Sequence, residues 1–141
     1  MVKKSKFVVL IADDDEQFRI SLSKIFMKNG YEVKCVPNGI EASQLLKQNS
    51  FDLVIADLRM PGKDGIELIR EIKRERVSSQ VIIITAFGEP ASKTEALEAG
   101  AYSYLNKPIK RDEILNCAAE ALKCRMSNLA KINPNYKTHK K

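Results

Sequence analysis

Five short apolar runs, "FVVLIA" (7–12), "YEVKCV" (31–36), "FDLVIA" (51–56), "VIIIT" (81–85) and "AYSYL" (101–105), are each followed by a stretch of helical periodicity. The helical stretches run from Glu16 to Lys28, from Ile40 to Lys47, from Ile66 to Arg74, from Glu89-Pro90 to Gly100, and from Asp112 to Lys123. Their punctuation agrees with this reading: Asn29-Gly30 and Gly100 stand just past helix ends, and Pro90 stands at a helix start. Ile66, Ile69 and Ile72 fall on one helix face, as do Ile114, Leu115, Ala118 and Leu122. Strands that alternate with helices pair in parallel, and the unbroken apolar run of Leu53 to Ala56 is that of a strand covered on both faces. The prediction is an α/β fold: a single doubly wound, five-stranded parallel sheet with five flanking helices.

At 141 residues the chain is one domain by size and buries about two-thirds of its unfolded surface, so no disulfide or metal staple is needed. Cys35, Cys117 and Cys124 then read as reduced thiols; Cys117 and Cys124, seven apart, share a helix face as core or interface hydrophobes rather than metal ligands. The N-terminal apolar run is too short for a signal peptide and no stretch reaches membrane-spanning length, which places the expected compartment in the cytoplasm, with no membrane partner. All 18 acidic residues and 18 of the 24 Lys and Arg precede Lys123, so the net charge of +6 lies entirely in the final stretch. A neutral body with a basic arm argues against direct DNA binding by the folded body. The expected division is an N-terminal extension over 1–5, one domain over 6–124 and a basic tail or linker over 125–141, in which Asn133-Pro134-Asn135 breaks any helix and His139 carries no signal.

The apolar run at 51–56 stops on Asp57 before turning at Pro61-Gly62, and the run at 7–12 stops on Asp13-Asp14-Asp15. In a parallel sheet of flavodoxin-like order 2-1-3-4-5, ligands gather at the carboxyl ends of strands one and three. The carboxylates of Asp13, Asp14 and Asp57 would meet there. At about 5 Å and an effective dielectric near 20, each like-charge pair costs about 3 kcal/mol, a large fraction of a domain's stability. A cation is therefore expected, and oxygen-only ligands in an open, hydrated cleft suit Mg²⁺. Thr85 closes the fourth run with a hydroxyl, and Lys107 follows the fifth as a point charge. A metal, a lysine and a hydroxyl around one aspartate form a constellation for stabilising phosphoryl charge, with Asp57 as nucleophile.

The pieces "VLIADDDEQFR", "DLVIADLRMPGKDGIELI", "VIIITAFGE" and "EAGAYSYLNKPI" resemble a response regulator receiver domain of two-component signalling, over roughly Lys6 to Lys123. The resemblance implies that Asp57 is the phosphoacceptor. It implies that Asp13, Asp14 and Asp57 hold Mg²⁺ with the main-chain carbonyl of Arg59. It further implies that Thr85 and Lys107 contact the phosphoryl group, that Tyr104 is an aromatic switch coupled to Thr85, and that the Lys107-Pro108 bond is cis. The implied donor is a sensor histidine kinase or a histidine phosphotransfer protein, and the responding surface is the face of the fourth helix, fifth strand and fifth helix. Lys110 stands where the family often has an acidic residue, which bears on how the fifth helix is capped, and Ile109 is a conservative change from the usual aromatic. Arg59 and Phe87 flank the approach of water to the implied acyl phosphate. Neither can orient and activate a water, so a long-lived phosphorylated state is expected.

Rival readings exist for each feature. An aspartate in the first triplet could simply cap a helix, a role worth about 1 kcal/mol. Asp57 could start a turn, and Tyr102 and Tyr104, two apart, would share a strand face as packing residues. A nucleotide-binding flavodoxin-like module would not place three aspartates where phosphate sits. Asp13-x-Asp15 mimics the signature of haloacid-dehalogenase-type phosphatases, but Gln17-Phe18 stands where that class carries Thr or Val. No effector-sized stretch follows Lys123, so the choice among receivers lies between a stand-alone switch and the receiver portion of a longer transcriptional regulator.

Overall fold

The structure, a computed structural model, describes residues 6–75, 77–86 and 88–132. Its order is β1 (Val8–Ala12), α1 (Glu16–Lys28), β2 (Glu32–Val36), α2 (Gly39–Gln48), β3 (Leu53–Ala56), α3 (Gly65–Arg74), β4 (Gln80–Thr85), α4 (Pro90–Ala99), β5 (Ser103–Asn106) and α5 (Arg111–Ile132). All four strand pairings are parallel, and the sheet order is β2-β1-β3-β4-β5.

The strand period of two divides the apolar residues between two cores. Leu10, Val54, Ile83 and Tyr104 point to the face covered by α2, α3 and α4, where Ala42, Leu46, Ile69, Ile72 and Ala96 meet them. Val9, Ile11, Leu53, Ile55, Ile82 and Ile84 point to the face covered by α1 and α5, against Leu22, Phe26, Ile114, Ala118 and Leu122. Fully burying an Ile or Leu side chain contributes about 1.5–3 kcal/mol, so these two layers fix the register of β1, β3 and β4.

Helix starts are set by side chains on the preceding loops. Asp15, Asn38 and Asp64 accept the backbone N–H of Phe18, Glu41 and Glu67, and Glu67 returns a bond to the Asp64 N–H to complete a capping box. Of the aspartate triplet, the capping role thus falls on Asp15 alone.

Two expectations need correction. Helix α5 continues nine residues past Lys123, to Ile132, because Arg125 is fastened to the body. Its guanidinium donates to Asp52 Oδ1 at 2.9 Å, to the Ser78 carbonyl at 2.9 Å and to Ser78 Oγ at 3.0 Å. Residues 125–132 are therefore helix, while 1–5 and the Asn133-Pro134-Asn135 break with the rest of 133–141 lie outside the described residues. Tyr102 and Tyr104 do not share a face: Tyr102 packs with the α1/α5 layer and Tyr104 with the other. The strand begins only at Ser103, so its alternation does not reach Tyr102.

Candidate functional site

The register carries the polar residues to one place. Ala12 of β1 is paired with Ala56 of β3, so Asp13 and Asp57 are the next residues on adjacent strands. The Asp57 N–H donates to the Ala12 carbonyl at 3.0 Å and the Asp13 N–H to the Val36 carbonyl at 3.2 Å, holding both just past the sheet. By parity Asp13 follows Val9 and Ile11, Asp57 follows Leu53 and Ile55, and Lys107 follows Leu105, all on the α1/α5 side. Carboxylate oxygens of Asp13, Asp14 and Asp57 lie within 4.8 Å of one another. Asp13 and Asp57 are buried and Asp14 is exposed.

Lys107 Nζ bridges the two buried carboxylates, 2.9 Å from Asp13 Oδ2 and 3.3 Å from Asp57 Oδ2. The Lys107 N–H donates to the Thr85 carbonyl at 2.9 Å, and the Lys107-Pro108 peptide is cis. The ring of Phe18 on α1 lies 4.1 Å from the ammonium and covers it from the α1 side. Burial pushes the Asp13 carboxyl above its ordinary value, outweighing the hydrogen bonds from Lys107 and the Asp15 N–H, and the Asp57 charge adds to the rise. Burial acts to strip the Lys107 proton, but the hydrogen bond and charge of Asp13, joined by Asp57, prevail and raise its pKa. The ammonium is therefore a fixed positive charge between two acids.

Outside the buried part an open cleft of about 540 Å³ is lined by Asp14, Arg59, Asp64, Ser92 and Glu95. Its donor set beside Asp13 and Asp57 is carboxylate oxygen and water-accessible, with no thiol or imidazole, which fits a hard divalent cation of the Mg²⁺ type. The Arg59 N–H donates to Asp57 Oδ1 at 3.3 Å, which turns the start of the β3–α3 loop toward the acids. The Arg59 guanidinium stands 3.8 Å from Glu89 in an exposed pair worth little energy. Phe87 lies outside the described residues.

Thr85 is fully buried at the end of β4, on the face that carries Val81 and Ile83. Tyr104, the register partner of Ile83, shares that face. The tyrosine ring is turned inward, and its hydroxyl lies near the Glu89 backbone and the Ser92 side chain without a well-formed hydrogen bond to either.

Phe18 and Arg19 were not singled out by sequence. Arg19 donates to the Asp13 carbonyl at 2.7 Å and fixes the turn that presents the acids. Their signal is positional: both stand in the first turn of a helix whose cap is the third aspartate.

A family model for the response regulator receiver domain matches residues 9–119. The chain belongs to the response regulator receiver family. It is 37% identical over 114 residues to sporulation initiation phosphotransferase F of Bacillus subtilis, a match spanning 81% of this chain and 92% of that protein. It is 35% identical over 136 residues to protein PetR of Rhodobacter capsulatus, covering 96% of this chain but only 56% of PetR. Among solved structures, the CheY-like receiver domain protein of Methanospirillum hungatei superposes with a TM-score of 0.84 at 27% identity, covering 88% of this chain and 99% of that one. The order 2-1-3-4-5 is thus that of a receiver domain of two-component phosphorelay signalling. Among the described residues no helix is long and apolar enough to cross a membrane.

Proposed function

We infer that this receiver is a phosphorylation switch in which Asp57 takes a phosphoryl group from a phosphohistidine on a sensor histidine kinase or a histidine phosphotransfer protein. The observation that carries the reading is the Lys107 ammonium held 2.9 and 3.3 Å from the carboxylates of Asp13 and Asp57, which cluster with the exposed Asp14. A phosphotransferase among the relatives supports it.

In the transfer, an Asp57 carboxylate oxygen attacks phosphorus in line. The O–P bond forms as the N–P bond breaks, and the departing imidazole takes a proton from solvent. Lys107 exchanges its contact with Asp57 for one with the arriving phosphoryl oxygens, and its proton stays on nitrogen. Asp13, Asp14 and Asp57, with the Arg59 main-chain carbonyl, would hold Mg²⁺, which supplies positive charge to the phosphoryl oxygens when bound. The new dianion draws the Thr85 hydroxyl toward it. Tyr104 on the same sheet face responds, altering the surface of α4, β5 and α5.

The chain acts in one stoichiometric event and not in steady turnover. A haloacid-dehalogenase-type phosphatase would use Asp13 and Asp15 together, yet the Asp15 side chain accepts the Phe18 N–H at 3.1 Å as a helix cap. The similarity to PetR, of which the chain spans 56%, favours a second reading in which the domain is the receiver portion of a longer regulator. The test is titration with beryllofluoride and Mg²⁺ followed by amide resonances. The account expects saturable shifts centred on Asp57, Thr85 and Lys107 that vanish in Asp57→Asn. Shifts that persist in that variant would contradict the assignment.

A further inference from the structure

A second polar cluster, unused by the proposed chemistry, lies about the other end of the β3–α3 loop. Ser43 of α2 and Glu71 of α3 are buried, and the Ser43 hydroxyl donates to Glu71 Oε1 at 2.6 Å. Lys63, from the loop between Asp57 and α3, reaches in to donate to Ser43 Oγ at 2.7 Å and to the same oxygen of Glu71. The arrangement is not a serine–lysine nucleophile. The Ser43 proton is committed to Glu71, and the Lys63 nitrogen donates to both partners, leaving no free base.

Its backbone surroundings are equally closed. A Cβ on Gly39 would stand 2.1 Å from the Lys63 carbonyl oxygen, so the loop rests directly on the first turn of α2. A Cβ on Gly62, whose φ is +82°, would stand 2.5 Å from Ile40 Cδ1. At its other end the loop is tied by the Arg59 N–H to Asp57 at 3.3 Å and by the Gly65 N–H to the Leu58 carbonyl at 2.9 Å. The short segment that carries Arg59 is thus fastened at both ends, and Lys63 is its part-buried charged anchor away from the acids, where the Arg59–Glu89 pair is exposed.

We propose that Ser43, Lys63 and Glu71 are positioning residues for the cation site: they clamp the β3–α3 loop against α2 and α3 so that the Arg59 segment is held ready beside Asp13 and Asp57. This inference rests on the proposed Mg²⁺ site. Burial alone would raise the Glu71 carboxyl, but its bonds from Lys63 and Ser43 bring it below the ordinary value, which keeps Glu71 a carboxylate at neutral pH. Groups that orient the ligands of a metal typically change its affinity 10–100-fold when removed.

The test compares wild type with Lys63→Met, Glu71→Gln, the double variant and Lys63→Arg. It reads the Mg²⁺ dissociation constant from the amide resonances of residues 57–65, and the rate of acetyl phosphate labelling at saturating Mg²⁺. Each single variant should weaken Mg²⁺ about tenfold, the double no more than either single, and Lys63→Arg should recover most of the loss. Labelling at saturating Mg²⁺ should stay within about threefold of wild type, because the chemistry is untouched. Folded single variants whose Mg²⁺ affinity stays within twofold would overturn the inference while leaving the site intact. Should Lys63→Met fail to fold, Ser43→Ala, which removes the two hydroxyl bonds and keeps the ion pair, takes its place with an expected loss of about threefold and the same overturning result. Wild type that neither binds Mg²⁺ nor is labelled on Asp57 would overturn the site reading and this inference together.

Discussion

Replacing Lys107 by Met, similar in length and without charge, exposes the electrostatic debt of the carboxylate cluster. At an effective dielectric of 20 the Nζ–Oδ2 distances of 2.9 and 3.3 Å correspond to about 6 and 5 kcal/mol of attraction. Carboxylates within 4.8 Å repel by at least about 3.5 kcal/mol per pair on the same scale. Desolvation of three buried charges offsets much of the gross attraction. The net cost expected for removing the lysine from acids that stay buried is about 3 kcal/mol. In urea unfolding without Mg²⁺ at pH 7, that is a midpoint shift of roughly 1.5–2 M for an m value of 1.5–2 kcal/mol/M. In an Asp13→Asn background the loss should fall to about 1 kcal/mol, since one of the two repelling buried carboxylates is gone. Mg²⁺ at about 100 times its dissociation constant should add about 2.7 kcal/mol of linkage stability to any variant that still binds it. A loss below 1 kcal/mol in the single variant, or an equal loss in both backgrounds, would refute the role of Lys107 as the neutralising charge.

Asp13 has a folded-state pKa raised above 3.8, first by burial. The native state therefore holds the proton longer than the unfolded chain, and stability falls as pH rises from the unfolded value through the folded one. Without Mg²⁺, Asp13→Asn should be more stable than wild type at neutral pH and lose that advantage below pH 3.8, as chemical unfolding across pH would record. Arg125→Ala breaks a bridge to Asp52 whose side chains are only 10% and 4% exposed and should cost about 3 kcal/mol. A chain ended at Lys123 should lose as much, and differential scanning calorimetry of both would show it. The lifetime of the phosphorylated protein should shorten in the Arg59→Asn, Phe87→Glu double variant at fixed Mg²⁺, because both new side chains accept hydrogen bonds from water. Decay no faster than wild type would remove those residues from any part in setting it.

The sheet and its acids were legible because each rests on a short-range pattern. Leu53 to Ala56 are apolar at every position, which only a doubly covered strand requires, and Asp57 breaks that run where the strand must end. What escaped depends on partners distant in sequence. Nothing in "KCRMSNLA" separates Arg125 from other basic residues of the final stretch; its partner Asp52 is 73 positions away. Helix α5 was cut short at Lys123 by its apolar pattern, although no breaker stands before Asn133-Pro134. Ser43, Lys63 and Glu71 occupy three elements, and each alone is an ordinary polar residue of a helix or loop. Tyr102 precedes the first residue of β5, so strand alternation does not govern the face it takes.

The central claim is that Asp57 is the phosphoacceptor, and intact mass spectrometry after incubation with acetyl phosphate and Mg²⁺ tests it most directly. The expected result is one added phosphoryl group per chain, dependent on Mg²⁺, labile to hydroxylamine and absent from Asp57→Asn. An added phosphoryl group that persists in that variant, or none in folded wild-type protein with Mg²⁺ present, would contradict it.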